Sequence, residues 1–384
     1  MPWLIKSALF SALMIGAVAG TPQALALPRV ELKRVPENGI QPQVATSNDG
    51  TIHLVYFKGD ALGGDLFYTR SSDGQHFSKP IRVNSVDGTA IAAGNIRGAR
   101  LATGRHGAVY ITWNGSQIAA RANGGRTPML YTRLNKARTS FEPERNLIQS
   151  AYGIDGGGGI AADGDGRVFV FWHAPGPGTE GEQGRRVWMT RSEDDGQTFH
   201  GEHVAWKEPT GACGCCSLNA VSDQAGRLYV LFRSAHEMVH RDMYLLKSSD
   251  HGNTFAGSSI SPWTVGYCVM STEAFATGSD GVLAAWEAEK RVHFGHIAKE
   301  GIKISDAQVL AGNNQKYPSL VEKRGFTLVS WTEGMGWKRG GSLHWLLLDR
   351  FGKQIGEAGA VDGVPVWSLV ASYARPDGTF VLFY

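Results

Sequence analysis

The chain has 384 residues, with 38 Lys+Arg against 35 Asp+Glu, 42% hydrophobic residues, 50 Gly and four Cys. That composition excludes a disordered polymer, a collagen-like repeat and a disulfide-stapled miniprotein. A formal charge of +3 without a run of like charges leaves no electrostatic footprint for nucleic acid, and the glycine content, against roughly 7% in average usage, points to many tight turns.

Residues 1–26 read as an export signal. Lys6 is their single charged residue, residues 8–19 are apolar, and Ala24-Leu25-Ala26 is a small-x-small cleavage site. The apolar stretch is shorter than the roughly 20 residues a spanning helix needs. The expected mature chain starts near Leu27 and is secreted or periplasmic, without a membrane span.

From there a short alternating strand ending in an aromatic residue recurs seven times, at 53–57, 108–113, 168–172, 228–232, 282–286, 327–331 and 380–383. The aromatics are Phe57, Trp113, Trp172, Phe232, Trp286, Trp331 and Phe383. A turn precedes each strand, such as Asn48-Asp49-Gly50, Asp165-Gly166, Asp280-Gly281 or Asp377-Gly378, and a strand of small residues precedes the turn. Six units continue into a further strand, at 66–70, 129–133, 187–191, 243–247, 292–294 and 343–346. The seventh stops at Tyr384. The unit is a β-meander of about four strands. Its open edge would invite pairing with another chain, and the alternating segment 29–35 has no hairpin partner nearby. The expectation is an all-β ring closed by pairing of the N-terminal and C-terminal strands, a β-propeller. Seven blades fit the count, with six as the alternative. Residues 27–384 then form a single domain and a monomer, without a long amphipathic helix.

The turns after the third strands carry a motif. Ser192-Glu193-Asp194-Asp195-Gly196-Gln197-Thr198-Phe199 and Ser248-Ser249-Asp250-His251-Gly252-Asn253-Thr254-Phe255 share Ser-x-Asp-x-Gly-x-Thr-aromatic, and residues 71–77 repeat it one residue short. The aspartates can accept hydrogen bonds from their own turn, the glycines allow positive φ, and the aromatics can tuck between sheets. The chain resembles the Asp-box (BNR-repeat) propellers, the superfamily that includes the sialidases, over its whole mature length. The resemblance implies that the boxes lie opposite the ligand-binding face and that the ligand is a glycan or another small molecule. It also implies an exo-glycosidase of sialidase type with three arginines for a substrate carboxylate, a Tyr/Glu nucleophile pair and an acidic Asp. The Arg-Ile-Pro motif of that family is absent. The candidates are Arg97, Arg100 and Arg241 for the arginines, Tyr317 with Glu273 or Glu287 for the pair, and Asp155 for the acid. A binding propeller without turnover, with Trp337, Trp367 and Tyr317 stacking on sugar or peptide, is the alternative.

All four cysteines, Cys213, Cys215, Cys216 and Cys268, fall in loops that lead into adjacent units. In an exported protein they suggest disulfides, with three full pairings open. Cys213–Cys216 with Cys215–Cys268 avoids both a Cys-x-Cys ring and a vicinal bridge. The second reading is a Zn²⁺ or Cu⁺ site with His236 and His240. The His-Glu-x-x-His spelling at 236–240 sits between two strands, so the helix that a zinc protease needs is not expected there. No cofactor is required by the glycosidase reading.

Overall fold

The computed structural model describes Met1 and residues 27–278 and 281–384. The expected leader, beyond Met1, and Asp280 of the Asp280-Gly281 turn lie outside the described residues.

Seven sheets form, six of them four-stranded. Taking each by its first two strands, blade 1 contains Ile40–Thr46 and Ile52–Asp60, blade 2 Arg100–Thr103 and Val109–Asn114, and blade 3 Gly159–Ala162 and Val168–Pro175. Blade 4 contains Leu218–Ser222 and Leu228–Arg233, blade 5 Ala274–Gly278 and Gly281–Ala288, and blade 6 Gln315–Lys323 and Phe326–Glu333. Blade 7 has Ala371–Ala374 and Phe380–Phe383 from the end of the chain and Val30–Lys33 from its start. Val30–Lys33 runs parallel to Phe380–Phe383, with Val30 opposite Phe380 and Lys33 opposite Phe383. Within the six other blades every named pairing of consecutive strands is antiparallel, as in a meander.

The second strands were expected to alternate, with one face exposed, and instead they are buried at nearly every position. Val109–Asn114 and Leu228–Arg233 are buried at all six positions. Each such strand lies between two neighbouring blades, so both of its faces are core. Leu54 and Tyr56 pack with Tyr373 and Phe383 of blade 7, while Val55 and Phe57 pack with Val109, Ile111 and Trp113 of blade 2. Seven such clusters, one between each consecutive pair of blades, go round the ring and close it.

The motif turns behave as their residues dictate. Asp194 Oδ1 accepts from Thr198 N at 2.8 Å and from Ser192 Oγ at 2.7 Å, and its Oδ2 accepts from Thr198 Oγ1 at 2.7 Å. Asp250 repeats the set with Thr254 and Ser248. In the shortened copy, His76 takes the threonine's place on Asp73. The closing aromatic packs on the preceding blade in each case. Phe199 lies edge-on to Tyr131, Phe255 to Phe171, and Phe77 to Tyr373. The single α-helix among the described residues is one short segment, Gln117–Ala122, capped by Ser116. None there is long and apolar enough to cross a membrane.

Candidate functional site

The meander puts the motif turns on one face and, on the other, the loops that lead into each first strand together with those joining second to third strands. On this second face the lead-in loops brace one another round the axis. Gln41 Nε2 donates to Ala92 O (2.6 Å) and Trp367 O (2.8 Å), tying blades 1, 2 and 7. A Cβ on Gly157 would stand 1.8 Å from Ile96 O, and one on Gly156 would stand 1.9 Å from Cys216 O, so the loops of blades 2, 3 and 4 touch backbone to backbone. Ser217 N donates to Ser271 O (3.1 Å) and Lys316 Nζ to Val269 O (2.6 Å), which carries the bracing through blades 4, 5 and 6. Beneath them an axial cavity of about 890 Å³ is lined by the first strands of all seven blades.

Three of the expected site residues, Arg100, Glu273 and Tyr317, line that cavity together from blades 2, 5 and 6. Ser217 bridges the first two: Arg100 Nη2 donates to its Oγ at 2.9 Å, and its hydroxyl donates to Glu273 Oε2 at 3.0 Å. Glu273 is buried and its Oε1 has no partner. Burial and the Cys216 thiol push its carboxyl well above the usual range, against the opposing pull of Arg233 and Arg100. Tyr317 is buried against Leu328, Leu343 and Val370, and burial, with Glu287 next, raises its phenol. Glu287 is buried in an ion pair with Lys316 Nζ at 3.1 Å, and burial raises its carboxyl despite that cation.

The other two expected arginines form ion pairs with acidic side chains. Arg97 pairs with Asp155 at 2.5 Å, and the Asp155 side chain stays 47% exposed. Arg241 is buried against Glu182 at 2.6 Å. Each expected arginine is thus engaged by a protein acceptor. Arg233, not among the residues expected from the sequence, is almost wholly buried and organises this hub. It donates to Arg241 O (2.7 Å), to Ser271 Oγ (3.0 Å) and to Glu287 O. A charged residue directly after the apolar run 228–232 is the signal that marks it.

The sulfurs gather in the same region. Cys215 and Cys268 form a disulfide, while Cys213 and Cys216 are buried thiols with their sulfurs 3.0 Å apart. Cys213 Sγ is also 3.5 Å from Cys215 Sγ. Burial raises the Cys216 thiol, but a hydrogen bond from Cys213, the Arg233 guanidinium, the Ser271 N–H and Lys316 outweigh it and lower its pKa; Cys213 moves up as the proton donor. His236 and His240 belong to a separate, more exposed cluster with Glu237. They pair across a tight turn, His240 N donating to His236 O at 2.9 Å, and not along a helix. The metal set drawn from the sequence therefore divides into two clusters, and one disulfide takes up two of its four sulfurs.

Above the hub the loop face presents aromatic surface. Trp337 is 61% exposed, and its ring meets Trp367 edge-on at 4.7 Å. Gly94, at φ +90°, lies under it: a Cβ there would meet Arg97 Nη1 at 2.7 Å, Met270 Cε at 3.6 Å and the Trp337 ring at 3.7 Å. Four blades thus meet at one shallow spot, with the Arg97–Asp155 pair at its edge.

No protein-family model matches the chain, and no curated protein matches it in sequence. Solved structures share its fold. A GH93 α-L-arabinofuranosidase of Fusarium graminearum is 10% identical at a TM-score of 0.54, covering 88% of this chain and 98% of that one. A Dyadobacter fermentans protein of unknown function is 15% identical at 0.52, covering 87% and 97%. A Hadza microbial sialidase is 13% identical at 0.50, covering 82% and 69%. These neighbours include glycoside-hydrolase propellers, and at such identities the likeness is one of fold.

Proposed function

We propose that the protein acts on a glycan outside the cytoplasm, as a single propeller domain of residues 27–384 freed from its leader, with the sugar seated on the loop face. The observation that carries this reading is the meeting of Trp337, Trp367 and the Arg97–Asp155 pair over Gly94. An exposed indole offers an apolar face to the C–H side of a pyranose. A guanidinium and a carboxylate beside it supply donors and acceptors for hydroxyls. The exo-glycosidase form of the reading assigns proton donation to Asp155, which is open to solvent, and leaves Glu273 and Arg100 to hold the hub beneath. The names of the glycoside-hydrolase neighbours support the substrate class.

A panel of oligosaccharides, sialylated and arabinose-containing among them, tests this by calorimetry for binding and by released sugar for turnover. Trp337→Ala is expected to weaken binding about tenfold, the loss of roughly 1.4 kcal/mol of stacking, and Asp155→Asn to stop turnover while binding persists. Absence of binding to every member of the panel overturns the proposal. A second reading, binding without chemistry, is favoured by the pairing of Arg97, Arg241 and Glu287 with protein partners; saturable binding with no product selects it.

A further inference from the structure

Beyond glycan recognition, the four sulfurs form a connected line. It runs from Cys268, exposed, through its disulfide to half-buried Cys215, across 3.5 Å to buried Cys213, and across 3.0 Å to buried Cys216. We propose that this line is a thiol–disulfide relay, passing two electrons between a dithiol outside the protein and the buried Cys213/Cys216 pair through the Cys215–Cys268 disulfide. Cys213 is the pivot, since it alone contacts both its buried partner and the half-buried sulfur.

The chemistry balances without an added cofactor. Begin with both bridges formed. An external dithiol reduces Cys215–Cys268, is itself oxidised to a disulfide, and leaves two thiols. The Cys215 thiolate then attacks the Cys213 sulfur. The Cys213–Cys216 bond breaks, a Cys213–Cys215 bond forms, and Cys216 departs as a thiolate. Cys268 next gives up its proton and attacks Cys215, restoring Cys215–Cys268 and releasing Cys213, and Cys213 and Cys216 each take up one of the two protons given up by Cys215 and Cys268. The net result is two electrons and two protons moved from the external dithiol to the buried pair. The arrangement observed, with one bridge near the surface and two thiols inside, is the end state of that transfer.

The surroundings suit each step. The leaving sulfur, Cys216, has Arg233, Lys316 and the Ser271 N–H acting on it, groups that stabilise a thiolate and so speed its departure. The intermediate Cys213–Cys215 bridge closes a small ring across a single residue, which favours its onward resolution over its accumulation. The buried pair is walled by Val265 and Val269, so a protein-sized reductant reaches it only through Cys268 and Cys215.

The test uses the full chain, oxidised to two bridges with cystamine and then treated with reduced thioredoxin, a dithiol protein too bulky to reach a buried sulfur. Samples are quenched in acid and alkylated, and their bridges are mapped by mass spectrometry. Wild type is expected to lose the Cys213–Cys216 bridge while Cys215–Cys268 persists. The Cys215→Ser/Cys268→Ser double variant is expected to lose it at least tenfold more slowly. Equal rates overturn the relay. So does failure of wild type to form the Cys213–Cys216 bridge, or its purification with one equivalent of zinc or copper on those thiols. A wild-type measurement guards against misfolding of the variant. Single-bridge chains are expected to carry that bridge at Cys213–Cys216 early, after thioredoxin has opened Cys215–Cys268, and at Cys215–Cys268 at the end; a time course in which Cys213–Cys216 is lost first and Cys215–Cys268 never opens also overturns the proposal.

Discussion

Gly157 shows how little room the hub allows. Its position is set by contact with the backbone carbonyl of Ile96, an atom that cannot rotate away, so a methyl group there must push two loops apart. Gly157→Ala is expected to destabilise the fold by about 3 kcal/mol, the upper part of the range for overpacking, read as a lowered midpoint in thermal or urea unfolding. Gly164→Ala, where nothing lies within 4 Å, serves as the control. The glycine run 156–159 was visible in the sequence as the opening of a strand, but the reason for it was not, because the carbonyls that crowd it come from loops about 60 residues away on either side. Arg233 was missed for a related reason. It ends a strand, and attention to loops alone overlooks a guanidinium whose acceptors are the carbonyls of Arg241 and Glu287. Glu273 and Arg100 were found because they carry charge where a loop gives way to a first strand, yet their union through Ser217 depends on ring closure, which no local pattern encodes.

The motif turns were the most legible elements, since every partner in them lies within a few residues. Their chemistry sets an acid limit. Slight burial raises the Asp194 carboxyl, but bonds from Thr198 and Ser192 outweigh it, and its pKa falls from 3.8 to about 2; Asp250 behaves alike with Thr254 and Ser248. A carboxylate held lower in the folded chain than in the unfolded one stabilises the fold above about pH 4, and that contribution fades as pH falls toward 2. The Asp194→Ala/Asp250→Ala variant is therefore expected to be less stable than wild type at pH 7, by roughly 1 kcal/mol per turn. The gap should narrow between pH 4 and pH 2 in melts followed by circular dichroism; a gap that widens on acidification contradicts the assignment. The second strands were legible in place but not in pattern. Alternation was the expectation because a sheet with one wet face alternates, whereas these strands have a blade on each side and are buried throughout.

Ring closure was inferred from an edge left without a partner, and the chain meets it with Val30–Lys33. Strand direction was beyond the sequence reading, because a strand with no hairpin to its neighbour can pair either way. The clasp also holds side chains in place: Glu31 pairs with Arg375, and the Arg34 guanidinium covers the Tyr384 ring. Since each interblade core depends on its neighbour, removing residues 29–35 exposes the edge of blade 7 and loosens the Val35 cluster between blades 7 and 1. The truncated protein is expected to unfold at a midpoint at least 10 °C lower and to form oligomers on a sizing column through the bared edge; an unchanged midpoint and a monomeric profile would show the clasp to be dispensable. The parallel direction of the clasp has a practical outcome. Val30 sits beside Phe380, where the last strand leaves its turn on the motif side, and the carboxyl end finishes among the lead-in loops. A tether or bead attached ahead of residue 27 would hold the molecule with Trp337 facing the medium, whereas a tag appended to Tyr384 would crowd that same surface.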